Sequence, residues 1–206
     1  MNKIKVLIVD DHAVYRMGLI ALLDTEPDIE VVGEAEDGRS ALRKAAKLAP
    51  DVVVMDLMMP VMDGIAATRE FREQLPSAKV LILTTSTTSD DLANALKNGA
   101  AGAITKSDAT SKLVSAIRTV AAGRESISGE IKRLIADDPP IPELSPRQLE
   151  ILQSITRGLT TPDIAKQLGI SAESVKMHSS ILFAKLGASN RTEAVAIALR
   201  KHLLKA

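Results

Sequence analysis

The sequence predicts two domains: an α/β domain built on a five-stranded parallel sheet, followed by a small all-α domain of four helices. The first 122 residues alternate short, continuous apolar runs with helical patterns, which is typical of a parallel sheet covered by helices on both faces. After Glu143 the pattern is helical only. A chain of 206 residues is long enough for one or two domains, so this division is consistent with its length.

Five consecutive βα units account for the first domain. The strands are expected at Ile4–Val9, Ile29–Glu34, Val52–Met55, Val80–Thr84 and Gly102–Thr105. The helices are expected at Ala13–Asp24, Ser40–Leu48, Gly64–Gln74, Asp90–Asn98 and Ser111–Ala122. In a doubly wound sheet of this kind, functional sites lie at the carboxyl ends of the strands.

A linker is expected between the domains, over residues 123–143, where the βα pattern breaks down. One short helix is expected within it at Gly129–Ala136. The segment Asp137–Pro142 then contains three prolines, which block helix continuation and favour an extended chain. We therefore place the two domains at residues 1–122 and 144–206.

The second domain has clear helix boundaries. Its first helix opens with the capping box Ser145-Pro146-Arg147-Gln148, with proline at the first helical position. The second helix begins at Thr161-Pro162, the third after Ser171 and the fourth after Asn190. The first three helices end at Gly158, Gly169 and Gly187, and glycine suits the left-handed residue after a helix. The second and third helices have helix-turn-helix spacing, although an ordinary helical bundle explains that spacing equally well.

Composition and charge narrow the class of protein. There is no cysteine, which excludes disulfides and thiolate metal sites. The apolar run that ends at Asp10 is too short for a signal peptide or a membrane span, so we expect a soluble, cytoplasmic protein without a membrane partner. Residues 144–206 carry nine Lys or Arg and four Asp or Glu, a net charge of +5 that the rest of the chain balances. This excess favours an anionic partner such as nucleic acid, although many solvated surfaces are mildly basic.

The expected strand ends carry polar side chains. The first strand ends at Asp10-Asp11, the third at Asp56, the fourth at Thr84 and the fifth at Thr105-Lys106. Three carboxylates that meet at one edge repel each other unless they bind a hard cation, and Mg²⁺ accepts both carboxylate and phosphate oxygens. The arrangement makes phosphoryl transfer to Asp56 plausible. For any one of these residues alone, a simply solvated carboxylate is the better explanation, but all five strand ends fitting one chemistry by chance is far less expected.

The first 122 residues resemble the receiver domain of two-component response regulators. The likeness rests on Val6–Asp11, on Met55–Gly64 with its Asp-x-x-Met-Pro-x-Met-Asp-Gly pattern, on Thr84 and on Lys106. It implies a flavodoxin-like fold and a phosphoryl group accepted on Asp56 from a sensor histidine kinase. It also implies that the protein is not an enzyme. The only reactions expected of it are its own phosphorylation from a phosphodonor and its slow autodephosphorylation.

The resemblance also implies a role for each strand-end residue. Asp11 and Asp56 would hold Mg²⁺ with the carbonyl of Met58, and Asp10 would assist through water. Thr84 and Lys106 would bind the phosphoryl oxygens after transfer. One departure concerns the fifth strand, where many receivers carry Tyr or Phe three residues before the lysine and this chain has Ala103. The aromatic half of the usual switch is therefore missing.

The third helix of the second domain is the expected DNA-reading element. On a helical wheel Val175, Ser179, Leu182 and Leu186 form a core face, and the outer face carries Glu173, Lys176, Met177, Ser180 and Ala184. Residues 144–206 resemble the LuxR/NarL (FixJ) type of DNA-binding domain, through segments that include Leu144–Leu152, Gly158–Thr160, Asp163–Ala165, Ser174–His178 and Arg191–Val195. The resemblance implies that Ser171–Leu186 enters the major groove of double-stranded DNA. Ser180 departs from the Lys or Arg that family members often carry, so weaker non-specific affinity is expected.

The last helix is the expected dimer contact, which the same resemblance implies, and RNA polymerase is a further candidate partner. A helical wheel places Val195, Leu199 and His202 on one side, which we expect to pack inward. Ile197 and Leu204 lie on the opposite side and are expected to form an exposed apolar stripe between two copies. Neither His12 nor His202 has a partner that the sequence identifies.

Two other functions are compatible with parts of this pattern. A hydrolase of the haloacid dehalogenase class also uses a strand-end aspartate as nucleophile, but it needs Asp-x-Asp after its first strand, and here His12 occupies the second aspartate's place. A regulator that acts through protein contacts or RNA remains open, because Lys176 and Lys185 are the only basic residues of the third helix. A gel shift on genomic fragments distinguishes this alternative from DNA binding.

Overall fold

The computed structural model describes residues 3–85, 88–201 and 203–204, apart from the side chains of residues 109–111. The chain divides into two compact units, Met1–Pro139 and Pro140–Ala206. Separate clusters of buried aliphatic side chains form the cores of the two units. No helix among the described residues is both long enough and apolar enough to cross a membrane.

A parallel sheet of six strands forms the centre of the first unit, in the order β2-β1-β3-β4-β5-β6. The strands are β1 (Ile4–Val9), β2 (Ile29–Ala35), β3 (Val52–Met55), β4 (Lys79–Thr84), β5 (Gly102–Thr105) and β6 (Ser126–Ile127). This order confirms the predicted doubly wound α/β class of the flavodoxin type. The expected count of five strands is wrong by one, because β6 adds a short strand at the edge of β5.

Helices cover both faces of this sheet. They are α1 (Ala13–Leu23), α2 (Gly38–Leu48), α3 (Gly64–Gln74), α4 (Ser89–Lys97), α5 (Ala109–Ala121) and α6 (Gly129–Asp137). Alternate residues of β1 point to opposite faces, so that Leu7 lies in one core cluster and Ile8 in the other. Residues of α2, α3 and α4 complete the first cluster, and residues of α1 and α5 complete the second. The continuous apolar runs of the sequence are thus strands buried on both sides.

The segment expected to be a linker is mostly part of the first unit. Strand β6 pairs with β5, and α6 packs against α4 and β5. Ile131 of α6 is fully buried in the same cluster as Ala103 of β5. The predicted linker of residues 123–143 is therefore too long, because residues 126–137 are regular structure and the division between units falls after Pro139. The helix expected at Gly129–Ala136 is present and one residue longer.

Four helices lie in the part of the second unit that the structure describes: α7 (Pro146–Thr156), α8 (Thr161–Leu168), α9 (Ala172–Leu186) and α10 (Arg191–Arg200). Each begins after a residue whose side chain accepts a hydrogen bond from an amide of the first turn, namely Ser145, Thr160, Ser171 and Asn190. Capping of this kind stabilises a helix by about 1 kcal/mol. The caps predicted for α7, α9 and α10 are confirmed, and α8 begins at Thr161 as expected, with Thr160 as its cap.

The packing of α10 differs in part from the prediction, since Val195 packs against the core as expected but Leu199 does not. Leu199, expected to point inward, is 65% exposed. The residues of α10 and its continuation that belong to the core or pack against it are Ala194, Val195, Ile197, Ala198, Leu203 and Leu204. The expected outward placement of Ile197 and Leu204 is therefore wrong. The small residues Ala194 and Ala198 form the side of α10 that packs closely on α7 and α9. His202, placed on the inner side by the sequence, lies outside the described residues.

Candidate functional site

The strand ends bring polar side chains to one edge of the sheet, as expected. Asp10 and Asp56 follow the paired strands β1 and β3, and the amide of Asp56 donates to the carbonyl of Val9 at 2.9 Å. Thr84 ends β4, and the amide of Lys106 donates to its carbonyl at 2.9 Å. Four of the side chains predicted to carry the chemistry therefore lie at the ends of adjacent strands.

Lys106 is paired with two carboxylates. Its Nζ lies 2.5 Å from Oδ2 of Asp10 and 2.6 Å from Oδ2 of Asp56, and none of the three side chains is more than 11% exposed. Burial lowers the pKa of Lys106, but hydrogen bonds from its ammonium group to Asp10 and Asp56 outweigh burial, so the pKa is raised above its ordinary value. The ammonium group therefore stays charged at neutral pH and offsets part of the negative charge beside it.

Asp11 completes a group of residues that could hold a cation. One ligand atom from each of Asp10, Asp11, His12 and Asp56 lies within 4.8 Å of the others. The Asp11 side chain is 32% exposed, so the group is open to solvent on that side. Carboxylate oxygens with room for water are the ligands that Mg²⁺ prefers. The donor set therefore fits the ion that the sequence predicted.

The loop after β3 fixes the position of the Asp56 carboxylate. The amide of Leu57 donates to Oδ1 of Asp56 at 2.7 Å. Gly64 is required where this loop meets α3, because a Cβ at this position would lie 2.2 Å from the carbonyl oxygen of Asp56. Met58 also lies in the loop, with its side chain 64% exposed. Coordination of Mg²⁺ by its carbonyl oxygen stays a prediction.

Backbone contacts hold the same loop in place. Asp63 caps α3 by accepting the amide of Ala66 at 2.7 Å. The carbonyl of Met62 accepts the amide of Gly38, which begins α2, at 3.1 Å. Val61 has φ +66°, in the left-handed region that a β-branched residue rarely adopts. The loop beside the candidate acceptor therefore has a strained backbone.

Two contacts of this cluster were not found from the sequence. Nδ1 of His12 lies 2.7 Å from Oδ1 of Asp11, although no partner was expected for this histidine. The ring of Tyr15 lies over Lys106, with its centroid 4.5 Å from Nζ. Both contacts could have been inferred from the sequence, because His12 and Tyr15 lie within four residues after Asp11, where α1 begins.

Two cavities border the cluster. A cavity of about 780 Å³ is lined by Tyr15, Asp56, Met58 and Lys106, together with apolar residues of α1. A cavity of about 290 Å³ is lined by Lys106 and Thr84 together with Glu130, Ile131 and Leu134 of α6. Thr84 is fully buried. The two residues predicted to bind phosphoryl oxygens thus adjoin a cavity that α6 helps to form.

Helices α8 and α9 of the second unit form a helix-turn-helix. Helix α8 ends at Gly169, which has φ +64°, and Ser171 caps α9 two residues later. Val175, Leu182 and Leu186 of α9 are buried in the core of the unit, which confirms the predicted inner face.

The outer face of α9 is accessible. The residues predicted to contact DNA are all exposed, namely Glu173, Lys176, Met177 and Ser180. Nζ of Lys176 lies 3.8 Å from a carboxylate oxygen of Glu173, and both side chains are at least 70% exposed. An ion pair that is so exposed adds little stability, so Lys176 is free to exchange this partner for another anion.

A parallel α/β domain with a carboxylate–lysine cluster at its strand ends, followed by a helix-turn-helix unit, defines a two-domain signalling regulator. The sequence matches the response regulator receiver domain over residues 6–118 and the bacterial regulatory proteins of the luxR family over residues 142–198. The chain therefore belongs to the two-component response regulators with a LuxR-type helix-turn-helix domain, and its function is the regulation of transcription.

Relatives of similar length support this assignment. The transcriptional regulatory protein LiaR of Bacillus subtilis (strain 168) is 36% identical over 209 residues, which cover 98% of this chain and 99% of LiaR. The response regulator protein VraR of Staphylococcus aureus (strain NCTC 8325 / PS 47) is 36% identical over 207 residues, with the same coverage. Among solved structures, RcsB of Salmonella enterica serovar Typhimurium, bound to promoter P1flhDC in the presence of the phosphomimetic BeF3-, has a TM-score of 0.72 at 27% identity and covers 95% of this chain and 98% of its own.

Proposed function

We propose that Asp56 accepts a phosphoryl group from the phosphohistidine of a sensor histidine kinase or from a small acyl phosphate, and that this modification controls binding to double-stranded DNA. The proposal rests on the burial and the hydrogen-bond partners of the Asp56 carboxylate. It is buried, one oxygen accepts a backbone amide, and the other pairs with Lys106 at 2.6 Å. A carboxylate held in this way presents a fixed nucleophile to a phosphoryl donor.

The transfer step needs no further protein group to carry a covalent bond. A carboxylate oxygen of Asp56 forms a bond to phosphorus, while the bond between phosphorus and the donor's imidazole nitrogen breaks and the nitrogen keeps the electron pair. Lys106 then exchanges its carboxylate partners for a phosphoryl oxygen, and the hydroxyl of Thr84 donates to another. Slow hydrolysis of the acyl phosphate would return Asp56 to its free form, so catalysis is limited to the protein's own modification.

The site residues proposed to hold Mg²⁺ are Asp10, Asp11 and Asp56, with the carbonyl oxygen of Met58 as a further ligand. The chemistry that this ion supplies when bound is neutralisation of negative charge on the phosphoryl oxygens. Support for this assignment comes from the short distances among the carboxylates and from the solvent-open position of Asp11.

Intact-mass spectrometry tests the acceptor. The full chain is incubated with a small acyl phosphate and Mg²⁺, and one added phosphoryl group is expected. Asp56→Asn should abolish the addition, and Asp11→Asn should nearly abolish it. Asp24→Asn, which removes an exposed carboxylate at the end of α1, is the matched control and should be labelled like the wild type. Undiminished labelling of Asp56→Asn would overturn the proposal.

We further propose that the second unit reads DNA with α9 and binds as a homodimer, in the cytoplasm, with RNA polymerase as a candidate partner. Glu173, Lys176, Met177 and Ser180 form the proposed contact face, and the net charge of +5 over residues 144–206 favours a polyanion. For the dimer seam, the exposed Leu199 now takes the place of the predicted Ile197 and Leu204.

A gel shift on genomic fragments, with and without prior acyl-phosphate treatment, tests the DNA proposal. Retarded fragments that share a sequence, with more retardation after treatment, are expected. Retention of RNA but no DNA, or of neither nucleic acid, would show that the second unit acts through RNA or through protein contacts instead.

A further inference from the structure

We propose that Tyr15 is a positioning residue for Lys106: its ring holds the ammonium group beside Asp56 without competing for it as a hydrogen-bond acceptor. This inference rests on the proposed role of Asp56 as phosphoryl acceptor. It assigns a function to one of only three aromatic residues of the chain.

The geometry encloses the Lys106 ammonium group between unlike partners. Two carboxylate oxygens lie within 2.6 Å of Nζ, and the centroid of the Tyr15 ring lies 4.5 Å from it. A cation within about 6 Å of a tyrosine ring centroid is attracted by the negative face of the ring, more strongly when water is excluded. The Lys106 side chain is only 11% exposed, so little of it is left for solvent to contact.

The ring, and not the hydroxyl group, is what Tyr15 offers to this cluster. The hydroxyl oxygen is buried and has no hydrogen-bond partner among the residues that the structure describes. Burial raises the pKa of Tyr15, the positive charge of Lys106 lowers it, and the negative charges of Asp10 and Asp56 raise it further. Because the net effect raises the pKa, the side chain stays neutral at physiological pH. It therefore brings no additional negative charge to Lys106.

This kind of contact suits a cation that has to move. During phosphoryl transfer Lys106 must leave carboxylate oxygens and reach a phosphoryl oxygen nearby. A hydrogen-bond acceptor would hold the ammonium group in one direction, whereas a ring face attracts a cation that lies over it within about 6 Å of its centroid. Tyr15 can thus keep Lys106 in the site while its ionic partners change.

A double-mutant cycle tests whether Tyr15 acts through Lys106. The variants are Tyr15→Phe, which keeps the ring, Tyr15→Leu, which removes it, Lys106→Met, and the combination of Tyr15→Leu with Lys106→Met. The measured quantities are the rate constant of phosphorylation at saturating acyl phosphate and the donor concentration at half-saturation, with Mg²⁺ present. Thermal unfolding verifies that each variant is folded, and Tyr15→Met replaces Tyr15→Leu if the latter is not.

We expect Tyr15→Leu to lower the saturating rate constant by about 2- to 30-fold, the range that cation–π energies imply. Tyr15→Phe should stay within about twofold of the wild type, because its ring also attracts a cation. Tyr15→Leu should have no further effect in the Lys106→Met background. Three results would overturn the inference. The first is a loss in Tyr15→Phe as large as that in Tyr15→Leu, and the second is a double variant whose loss is the product of the two single losses. The third is a change in the donor concentration at half-saturation with no change in the saturating rate constant.

A second readout needs no turnover. Tyr15 is the only tyrosine and the chain has no tryptophan, so tyrosine emission reports on this one side chain. Lys106→Met should change that emission. Lys44→Met, which removes an exposed lysine of α2 that bonds to a backbone carbonyl, should not. Unchanged emission in Lys106→Met would contradict the contact, whereas a wild-type protein that is never labelled would refute the proposed acceptor role instead.

Discussion

Nζ of Lys106 lies 2.6 Å from Oδ2 of Asp56, and both side chains are almost completely buried. The candidate acceptor is therefore paired with a cation before any phosphoryl group arrives. Removing one partner of a buried ion pair is costly, because the remaining charge stays buried without compensation. Stability and site chemistry are thus linked through the same two residues.

At high pH, we expect the wild-type protein to lose stability more steeply than Lys106→Met. The pKa of Lys106 is raised above its ordinary value of 10.5, so the stabilisation is fully present below that value and is lost as pH rises through the folded-state pKa. Denaturant unfolding of both proteins between neutral pH and about pH 12 measures the difference. Identical slopes against pH would contradict the ion pair.

Mg²⁺ should stabilise Lys106→Met more than the wild type. In the wild type the ion competes with Lys106 for oxygens of Asp10 and Asp56, whereas in the variant it replaces the missing positive charge. A ligand at a hundredfold its Kd contributes about 2.7 kcal/mol to stability. Thermal unfolding with and without excess Mg²⁺ gives the two shifts, and Asp11→Asn should reduce both. The idea fails if the wild type gains as much as the variant.

Lys176→Ala should cost about 1–3 kcal/mol of binding free energy on the cognate DNA and relax the preference at one base pair, as expected for a guanine contact. Loss of a phosphate contact would instead weaken all sequences alike and reduce the salt slope by about one unit. Titrations of cognate and scrambled DNA at several salt concentrations separate the two roles. Arg200→Ala, at an exposed position of α10, is the matched control. Unchanged affinity for both DNAs would show that α9 does not read DNA.

Leu199→Glu should weaken binding to DNA with two half-sites far more than binding to a single half-site. Leu199 is the large apolar side chain that α10 exposes, and a charge there would disfavour contact with a second copy. Ala196→Glu, also at an exposed position of α10, provides the comparison. Fluorescence anisotropy with both DNAs measures the losses, and equal losses would place the dimer seam elsewhere.

Val61→Gly should raise the free energy of unfolding by about 0.5–1 kcal/mol, because glycine adopts the left-handed conformation of this position without steric cost. Val14→Gly is the contrast: Val14 is also highly exposed but lies in α1, where replacing valine by glycine should destabilise by about 0.3–0.5 kcal/mol. Urea unfolding of both variants measures the two changes. A loss of stability in Val61→Gly would mean that the valine side chain, despite its exposure, stabilises the loop.

The sequence predicted those elements whose signal is local. Strands β1, β3 and β5 have the expected bounds, because each is a short, largely apolar run that ends at or just before a polar residue. The convergence of Asp10, Asp56 and Lys106 followed from the parallel sheet alone. Strand β6 was missed because two residues carry no detectable periodicity and their pairing with β5 depends on tertiary structure.

Contacts that depend on how helices are rotated could not be predicted. A helical wheel separates the two faces of α10 but does not decide which one packs inward, and Ala194 and Ala198 determined it. The contact of Tyr15 with Lys106 likewise requires the orientation of α1 against the end of β5. The wheel identified the core face of α9 correctly, since Val175, Leu182 and Leu186 are buried, although Ile181 is exposed.

Strand β6 and helix α6 also determine where the first unit can be cut. A fragment that ends at residue 122 would leave β5 as an open sheet edge and uncover the apolar surface on which Ile127, Ile131 and Leu134 pack. Open edges recruit strands from other molecules, so such a fragment is prone to aggregate. A fragment that ends at Pro139 keeps β5 paired with β6 and keeps the apolar surface covered by α6. Helix α6 therefore protects the first unit against self-association in addition to completing its core.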